Sequence, residues 1–372
     1  MQLNKMASAG ALMLALSAAG AFAGDQTWNF DDAQNPTNGF TILGNHASYY
    51  YATGGNPDSG GYLSVADGPG PGQNLVVVFP DIDAGYPVKA FHLTMDVRAG
   101  NGDTERPADG FSISYCREGD PVLVNATNGV ANGAAGGDDA ATTTNPAGSG
   151  DFENGTKTGV AICFDAWAGN WLPDTGVGGT PGPDTEGIEI RVDDHTLKQI
   201  DMSADRNGGC SVAATNDISA CSNNVCGDFN TEQTGPWIND GGSPTPLCWA
   251  PLEVELDTNK QVTVTWKGHV FLDHYQLATY SSHRGRLILM GRTGGNHQNV
   301  HFDNIHLTTV PAVEATFGGL NAGPALNQFT FTINDNGSSV VTNVSAVKLD
   351  GVDVTSQVSV SKSGDTTTGV YN

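Results

Sequence analysis

An all-β architecture is predicted by three features of the sequence: runs in which apolar and polar residues alternate, turn-forming clusters between those runs, and scarce helix signals. Period-two alternation is clear in Phe111-Ser112-Ile113-Ser114-Tyr115, Gly187-Ile188-Glu189-Ile190-Arg191-Val192-Asp193, Leu252-Glu253-Val254-Glu255-Leu256-Asp257 and Val262-Thr263-Val264-Thr265-Trp266. Each such run offers one apolar face and one polar face. Gly and Pro together make up 67 of 372 residues. They concentrate in clusters such as Pro69-Gly70-Pro71-Gly72 and Asn207-Gly208-Gly209, and a Gly/Ala/Asp/Thr tract runs from Asn125 to Gly155. Half-buried strands joined by long loops predict a two-sheet antiparallel sandwich over residues 24–309, for which a 38% hydrophobic composition supplies a core. Long loop insertions are compatible with this size, because loop closure grows costly only slowly with length.

The first 23 residues are predicted to be a secretory signal peptide. Lys5 gives a positive start, Ala7 to Ala19 a short apolar stretch, and Ala21-Phe22-Ala23 a small-x-small cleavage site. Ser17 and Gly20 interrupt that stretch, which is shorter than the ~20 apolar residues of a membrane span. The expected product is secreted, extracellular or at the cell surface, and not inserted in a membrane. Lys+Arg 16 against Asp+Glu 40 gives a net charge of −24, which repels nucleic acid and anionic membrane and leaves neutral or cationic ligands.

Export places all six cysteines in an oxidising compartment, where pairing is favoured. Cys116 and Cys163 fall on two separate predicted strands and can bridge each other. Cys210, Cys221, Cys226 and Cys248 share one irregular segment with little apolar periodicity, so disulfides are its expected staples. Spacings of ten, four and 21 intervening residues, with no CxxC and no nearby His pair, do not suit zinc.

A boundary is read at Thr308-Thr309-Val310-Pro311, where composition turns to Asn, Ser, Thr and Val. Residues 310–372 hold FTFTIND, SAVKLD and VDVTSQVSVS, with Asp350-Gly351 as a hairpin signal. Four or five strands in some 60 residues predict a second, incomplete, immunoglobulin-like β module.

Three segments carry a family resemblance. Ala108-Asp109-Gly110-Phe111, then Gly159-Val160-Ala161-Ile162-Cys163-Phe164-Asp165-Ala166-Trp167 with Glu186-Gly187-Ile188, then Gly291-Arg292-Thr293-Gly294-Gly295 leading to Phe302-Asp303-Asn304-Ile305, resemble the L-type (legume) lectin jelly roll. The last segment is closer to bacterial members of the concanavalin A-like lectin/glucanase superfamily. The resemblance implies a jelly-roll sandwich that binds glycans or glycoproteins. It assigns Asp109 to sugar hydroxyls and Asp165, Asn170 and Asp174 to calcium, a hard cation that takes several carboxylate and amide oxygens. Where those lectins carry a manganese-binding Glu this chain has Cys163, and where they carry a His it has Glu186, so a transition metal is not expected. Asx-turn chemistry is the structural alternative for Asp165 and Asn170. An Asp-Gly turn leading into a strand is the alternative for Asp109.

Exposed aromatic rings stack on sugars, although most tryptophans of a sandwich are core. Trp171, between Asn170 and Pro173, is the candidate for exposure beside Trp167, Trp237 and Tyr49-Tyr50-Tyr51, whereas Trp266 alternates with Val262 and Val264 and reads as core. Glucanases share the superfamily, but the chain lacks their ExDxxE pattern. Glu189 and Asp193 lie about 13 Å apart along a strand, farther than a pair of glycosidase carboxyls, and Arg191 between them predicts a salt-bridged surface ladder. His269, His274, His283, His297, His301 and His306 are scattered along the chain, and no GxSxG serine occurs. The sequence therefore predicts a non-catalytic carbohydrate-binding or adhesion protein. The alternative is a structural domain of an extracellular assembly that keeps the fold without the sugar site.

Overall fold

The computed structural model describes residues 13–14, 24–31, 37–44, 48–56, 60–67, 72–83, 85–100, 110–123, 152–165, 175–176, 180–181, 187–201, 247–294, 297–312, 314–318, 329–334, 347–349, 352–363 and 366–371. In chain order its strands begin with β1 (Met13–Leu14), β2 (Asp25–Trp28), β3 (Thr41–Gly44), β4 (Tyr50–Tyr51), β5 (Tyr62–Ala66), β6 (Asn74–Val78) and β7 (Val88–Gly100). Next come β8 (Gly110–Arg117), β9 (Val160–Asp165), β10 (Thr175–Gly176), β11 (Thr180–Pro181), β12 (Gly187–Val192) and β13 (His195–Asp201). The series continues with β14 (Ala250–Leu256), β15 (Gln261–Trp266), β16 (His269–Gln276), β17 (Gly285–Arg292) and β18 (Asn299–Pro311). The last are β19 (Glu314–Gly318), β20 (Phe329–Asn334), β21 (Val347–Leu349), β22 (Val352–Asp353), β23 (Val358–Ser363) and β24 (Thr366–Tyr371).

Two compact units divide the chain: Gly24–Thr309, and Val310–Asn372 together with Met1–Ala23. The larger is a jelly-roll sandwich of two antiparallel sheets. One sheet has the order β13-β12-β9-β8-β17-β6-β3, the other β16-β15-β14-β7-β18-β5-β4 with β2 also on β18. Successive strands cross repeatedly from one sheet to the other. Between the sheets, Phe111 and Phe164 stack at 4.5 Å in the first and meet Phe302 (5.5 Å) and Trp266 (5.6 Å) from the second. Trp266 is fully buried, as its alternation predicts. Full burial of one such side chain contributes about 1.5–3 kcal/mol, so these four rings anchor the sandwich.

The two sheets differ on their outer faces. In β14 the outward residues Pro251, Glu253 and Glu255 are exposed, as alternation leads one to expect. In β8, β9 and β12 both faces are covered. A second apolar cluster, including Val76, Val78, Cys116, Phe152, Ile288 and Met290, lies on the outer face of the seven-stranded sheet. The 3-10 turn Phe152–Asn154 and the chain around Val122 cover it. The Ser112 hydroxyl donates to the Phe152 carbonyl at 2.6 Å, and the Thr156 N–H donates to Ser114 Oγ at 3.2 Å, so these small polar residues seat the covering segment.

The expected Cys116–Cys163 bridge is not formed; both are buried thiols. Register explains why. Cys163 stands opposite Ser112, four residues along β8 from Cys116, which is about 13 Å at strand rise, and a disulfide spans no more than ~7 Å between Cα atoms. Cys248 is disulfide-bonded; Cys210, Cys221 and Cys226 lie outside the described residues.

In the smaller unit, β19-β20-β24-β23 form one antiparallel sheet and β1-β21-β22 another. Leu349 pairs with Val352, closing a two-residue hairpin at Asp350-Gly351. Among the described residues, no helix is long and apolar enough to cross a membrane.

Candidate functional site

The registers of the seven-stranded sheet align one residue from each of six strands. Asn74 of β6 pairs with Arg292 of β17, Arg292 with Gly110 of β8, and Gly110 with Asp165 of β9. Asp165 pairs in turn with Gly187 of β12, and Gly187 with Asp201 of β13. This transverse row marks one end of the sheet. Three resemblance-bearing segments thus converge through backbone pairing between residues far apart in sequence. In sequence, Asp109 immediately precedes Gly110, and Asn170, Trp171 and Asp174 follow Asp165. Those four residues lie outside the described residues, so of the predicted calcium set only Asp165 is described; it is half-exposed.

Gly110 is required by close approach. A Cβ there would sit 2.2 Å from the Phe164 carbonyl oxygen and 3.1 Å from Glu153 Cβ. Glu153, on the covering 3-10 turn, accepts from Arg292 Nη1 at 2.9 Å, with the carboxylate almost wholly buried. Sequence reading passed over both members of this pair. The signal available for Arg292 was its place in Gly291-Arg292-Thr293, whereas Glu153 gave none, because its partner is 139 residues away.

The row is braced from the second sheet. Thr293 N–H donates to the Gln73 carbonyl at 2.9 Å, Gln73 N–H donates to Thr293 Oγ1 at 3.0 Å, and Gly72 N–H donates to the Gly294 carbonyl at 3.0 Å. The Gln73 amide both accepts from Asp67 N–H and donates to the Asp67 carbonyl, each at 2.8 Å. Asp67 Oδ1 in turn bonds His301 Nε2 at 2.8 Å, and Arg98 Nε donates to His301 Nδ1 at 3.1 Å. With Nδ1 accepting, the imidazole proton sits on Nε2 and points at the carboxylate. The Arg98 guanidinium lies over the rings of Trp249 (4.4 Å) and Tyr62 (4.8 Å), a cation–π arrangement. Tyr51 also donates to Asp67; burial first and this acceptor second push its hydroxyl up to about 12. Hydrogen bonds and ring contacts thus link Thr293, Gln73, Asp67, His301 and Arg98 into one polar and aromatic network.

The expected surface ladder of Glu189, Arg191 and Asp193 is corrected in two respects. Glu189 and Arg191 are buried, because the outer face of β12 is covered, and they pair at 3.0 Å. The second partner of Arg191 is Asp194, at 3.0 Å. Asp193 adopts a positive φ in the turn and instead binds Arg117 through both oxygens, at 2.7 and 2.9 Å. Those bonds and the Gly159 N–H hold its carboxyl below the usual range despite desolvation. Among the described residues, no cluster of three His, Cys, Asp or Glu side chains could hold a metal. Asp165 alone offers one carboxylate where calcium takes six to eight oxygens.

No family model matches the chain, and no curated protein matches it. Among solved structures, it is similar to the lectin from Bauhinia forficata in complex with GalNAc, at 14% identity and TM-score 0.41 over 77% of this chain and 99% of that one. It is also similar to the Emp47p carbohydrate recognition domain, at 10% identity and TM-score 0.40 over 77% and 98%. A third is the VIP36 exoplasmic/lumenal domain in its Ca2+/Man3GlcNAc-bound form, at 11% identity and TM-score 0.40 over 78% and 91%. At such identities and scores the ligands of those proteins do not transfer to this chain, and the jelly-roll sandwich stands on its own strand registers.

Proposed function

We propose that the chain is a secreted, non-catalytic carbohydrate-binding protein that takes neutral glycans on the loops beyond the transverse row. The observation that supports this reading is the pairing of Gly110 with Asp165, which sets the start of β8, after Asp109, beside the end of β9, before Asn170. In this reading Asp109 accepts sugar hydroxyl protons, Asn170 donates and accepts, and Trp171 stacks on a pyranose face. Calcium, held by Asp165, Asn170 and Asp174, orders the loop that carries Asn170 and Trp171. Cleavage after Ala23 releases residues 24–372, and residues 310–372 form a separate immunoglobulin-like module.

Hydrolysis is disfavoured by the chemistry of β12. A glycosidase acid needs a carboxyl open to its substrate, whereas Glu189 is buried and ion-paired with Arg191. Screening the exported protein on a glycan array, once in calcium and once in EDTA, tests the proposal. Neutral glycans bound in calcium and released in EDTA are expected; an array silent in both conditions refutes sugar binding and favours an assembly domain.

A further inference from the structure

A cavity of about 310 Å3 opens on the outer face of the seven-stranded sheet at the end opposite the row. Arg286, which helps to line it, is six residues along β17 from Arg292, or about 20 Å at strand rise. Among the described residues, the apolar part of the lining is Val78 and Leu123, both in or against the outer cluster. The polar part includes Arg284, Arg286, Asp81 and Glu118.

The cations of this lining are not consumed by the fold. Arg284 approaches Glu118 only to 4.0 Å, and the two side chains are 52% and 71% exposed, so the pair is weak. Arg286 stands opposite Cys116, half-buried, and among the described residues no group accepts a hydrogen bond from its guanidinium. In a chain with 16 basic and 40 acidic residues, this guanidinium faces a cavity and makes no hydrogen bond to a described carboxylate, which leaves its fork open to an anionic ligand.

We infer that this cavity binds a small polyhydroxylated carboxylate, of the uronic-acid class. The planar fork of Arg286 matches a carboxylate in two parallel hydrogen bonds. Asp81 and Glu118 are acceptors for hydroxyl protons, and Val78 and Leu123 offer apolar surface to the C–H face of a sugar ring. The same two carboxylates repel a sulfate or phosphate dianion, which has no hydroxyl protons to give them in return. The volume lies at the small end of ligand cavities and suits one sugar unit. This site is independent of the neutral-glycan reading, because it shares no residue with the row.

Calorimetric titration of the full exported chain with D-glucuronate, D-glucose and inorganic sulfate tests it. D-glucuronate should bind saturably and at least tenfold more tightly than the other two. Arg286→Gln should weaken it at least tenfold and Glu118→Gln less, while Asp109→Ala should leave it unchanged. Glu118 is exposed, so its variant keeps the test sound even if Arg286→Gln perturbs folding. A glucuronate-terminated disaccharide that binds more tightly than the free acid assigns the ends of acidic polysaccharides as the source, and equal affinity assigns the free sugar acid. Absence of saturable D-glucuronate binding, sulfate binding as tight as D-glucuronate, or affinity lost in Asp109→Ala but kept in Arg286→Gln would overturn the assignment. The last result would move the acid to the other end of the sandwich and leave neutral-glycan binding untouched.

Discussion

Asp303 makes a titration visible in the stability of the sandwich. The residue is 1% exposed, and its carboxylate accepts backbone N–H bonds from Asn56 and Asn304, both at 2.7 Å. Burial pushes its pKa up from 3.8 to about 7, with smaller contributions from Asp31 and Asp96, and the two N–H donors only partly oppose this. The folded state therefore holds a proton that the unfolded state releases above about pH 4. This contribution to stability is complete below 3.8 and is lost as pH rises to about 7. The whole displacement corresponds to about 4 kcal/mol, and the part between pH 5.5 and 8 to about 2. Relaxation around the buried carboxylate lowers that to roughly 1 kcal/mol. Asp303→Asn cannot titrate, and its amide can accept only one of the two N–H bonds, so the variant starts about 1–3 kcal/mol less stable at pH 5.5. Its deficit should then shrink by roughly 1 kcal/mol by pH 8, where the wild-type carboxylate is ionised. Urea unfolding followed by tryptophan fluorescence measures this, since all six tryptophans lie between Trp28 and Trp266 and report only the larger unit. Working above the isoelectric point of about 4.4 keeps the chain charged and soluble. A deficit that stays constant from pH 5.5 to 8 would refute the argument, because the titrations of every other group are common to both proteins.

Three other outcomes are expected. Glu189→Ala should destabilise the larger unit by about 3–5 kcal/mol in urea unfolding, because it strips a partner from the buried Arg191 guanidinium, and replacing both residues by Met should restore most of the loss; a change below ~0.5 kcal/mol in Glu189→Ala would contradict the buried pair. Cys116 and Cys163 should resist alkylation in the native protein and react once it is denatured, since both thiols are buried and desolvation raises that of Cys116, so fast native labelling would show that the outer face is open. If Asp165, Asn170 and Asp174 hold calcium, a hundredfold excess over its Kd should add ~2.7 kcal/mol of apparent stability relative to EDTA, and superimposable melts would leave them as turn formers.

Legibility in the sequence followed the range of the interaction. Strands β14 and β15 were readable because one face meets water, so Glu253, Glu255, Thr263 and Thr265 alternate with buried Val254, Leu256, Val262 and Val264. The Asp350-Gly351 hairpin was readable because its turn chemistry is local. Ser112, Ser114 and Cys116 gave the same alternation and yet lie beneath a covering segment that starts at Phe152, some 40 residues away. Small polar side chains fit a solvated face and a hydrogen-bonded cover equally well, so pattern alone does not separate the two. Register was also hidden: two cysteines on neighbouring strands looked bridgeable until pairing placed them four residues apart. At the candidate site, Asp109-Gly110 and Asp165 could be singled out by resemblance. The adjacency of Gly110 and Asp165, and the Arg292–Glu153 pair beside them, arise from strand pairings and a covering turn that no local window contains.

Sugar binding at the end of the sandwich marked by Gly110 and Asp165 is tested most directly by the affinity of Asp109→Ala for whichever neutral glycan the wild-type protein retains in calcium. Removal of the proposed acceptor for sugar hydroxyls should cost at least tenfold in affinity, while the melting temperature stays within a degree or two of wild type, the outcome expected of a substitution that acts on the ligand and not on the fold. Unchanged affinity in a folded Asp109→Ala protein would contradict the account.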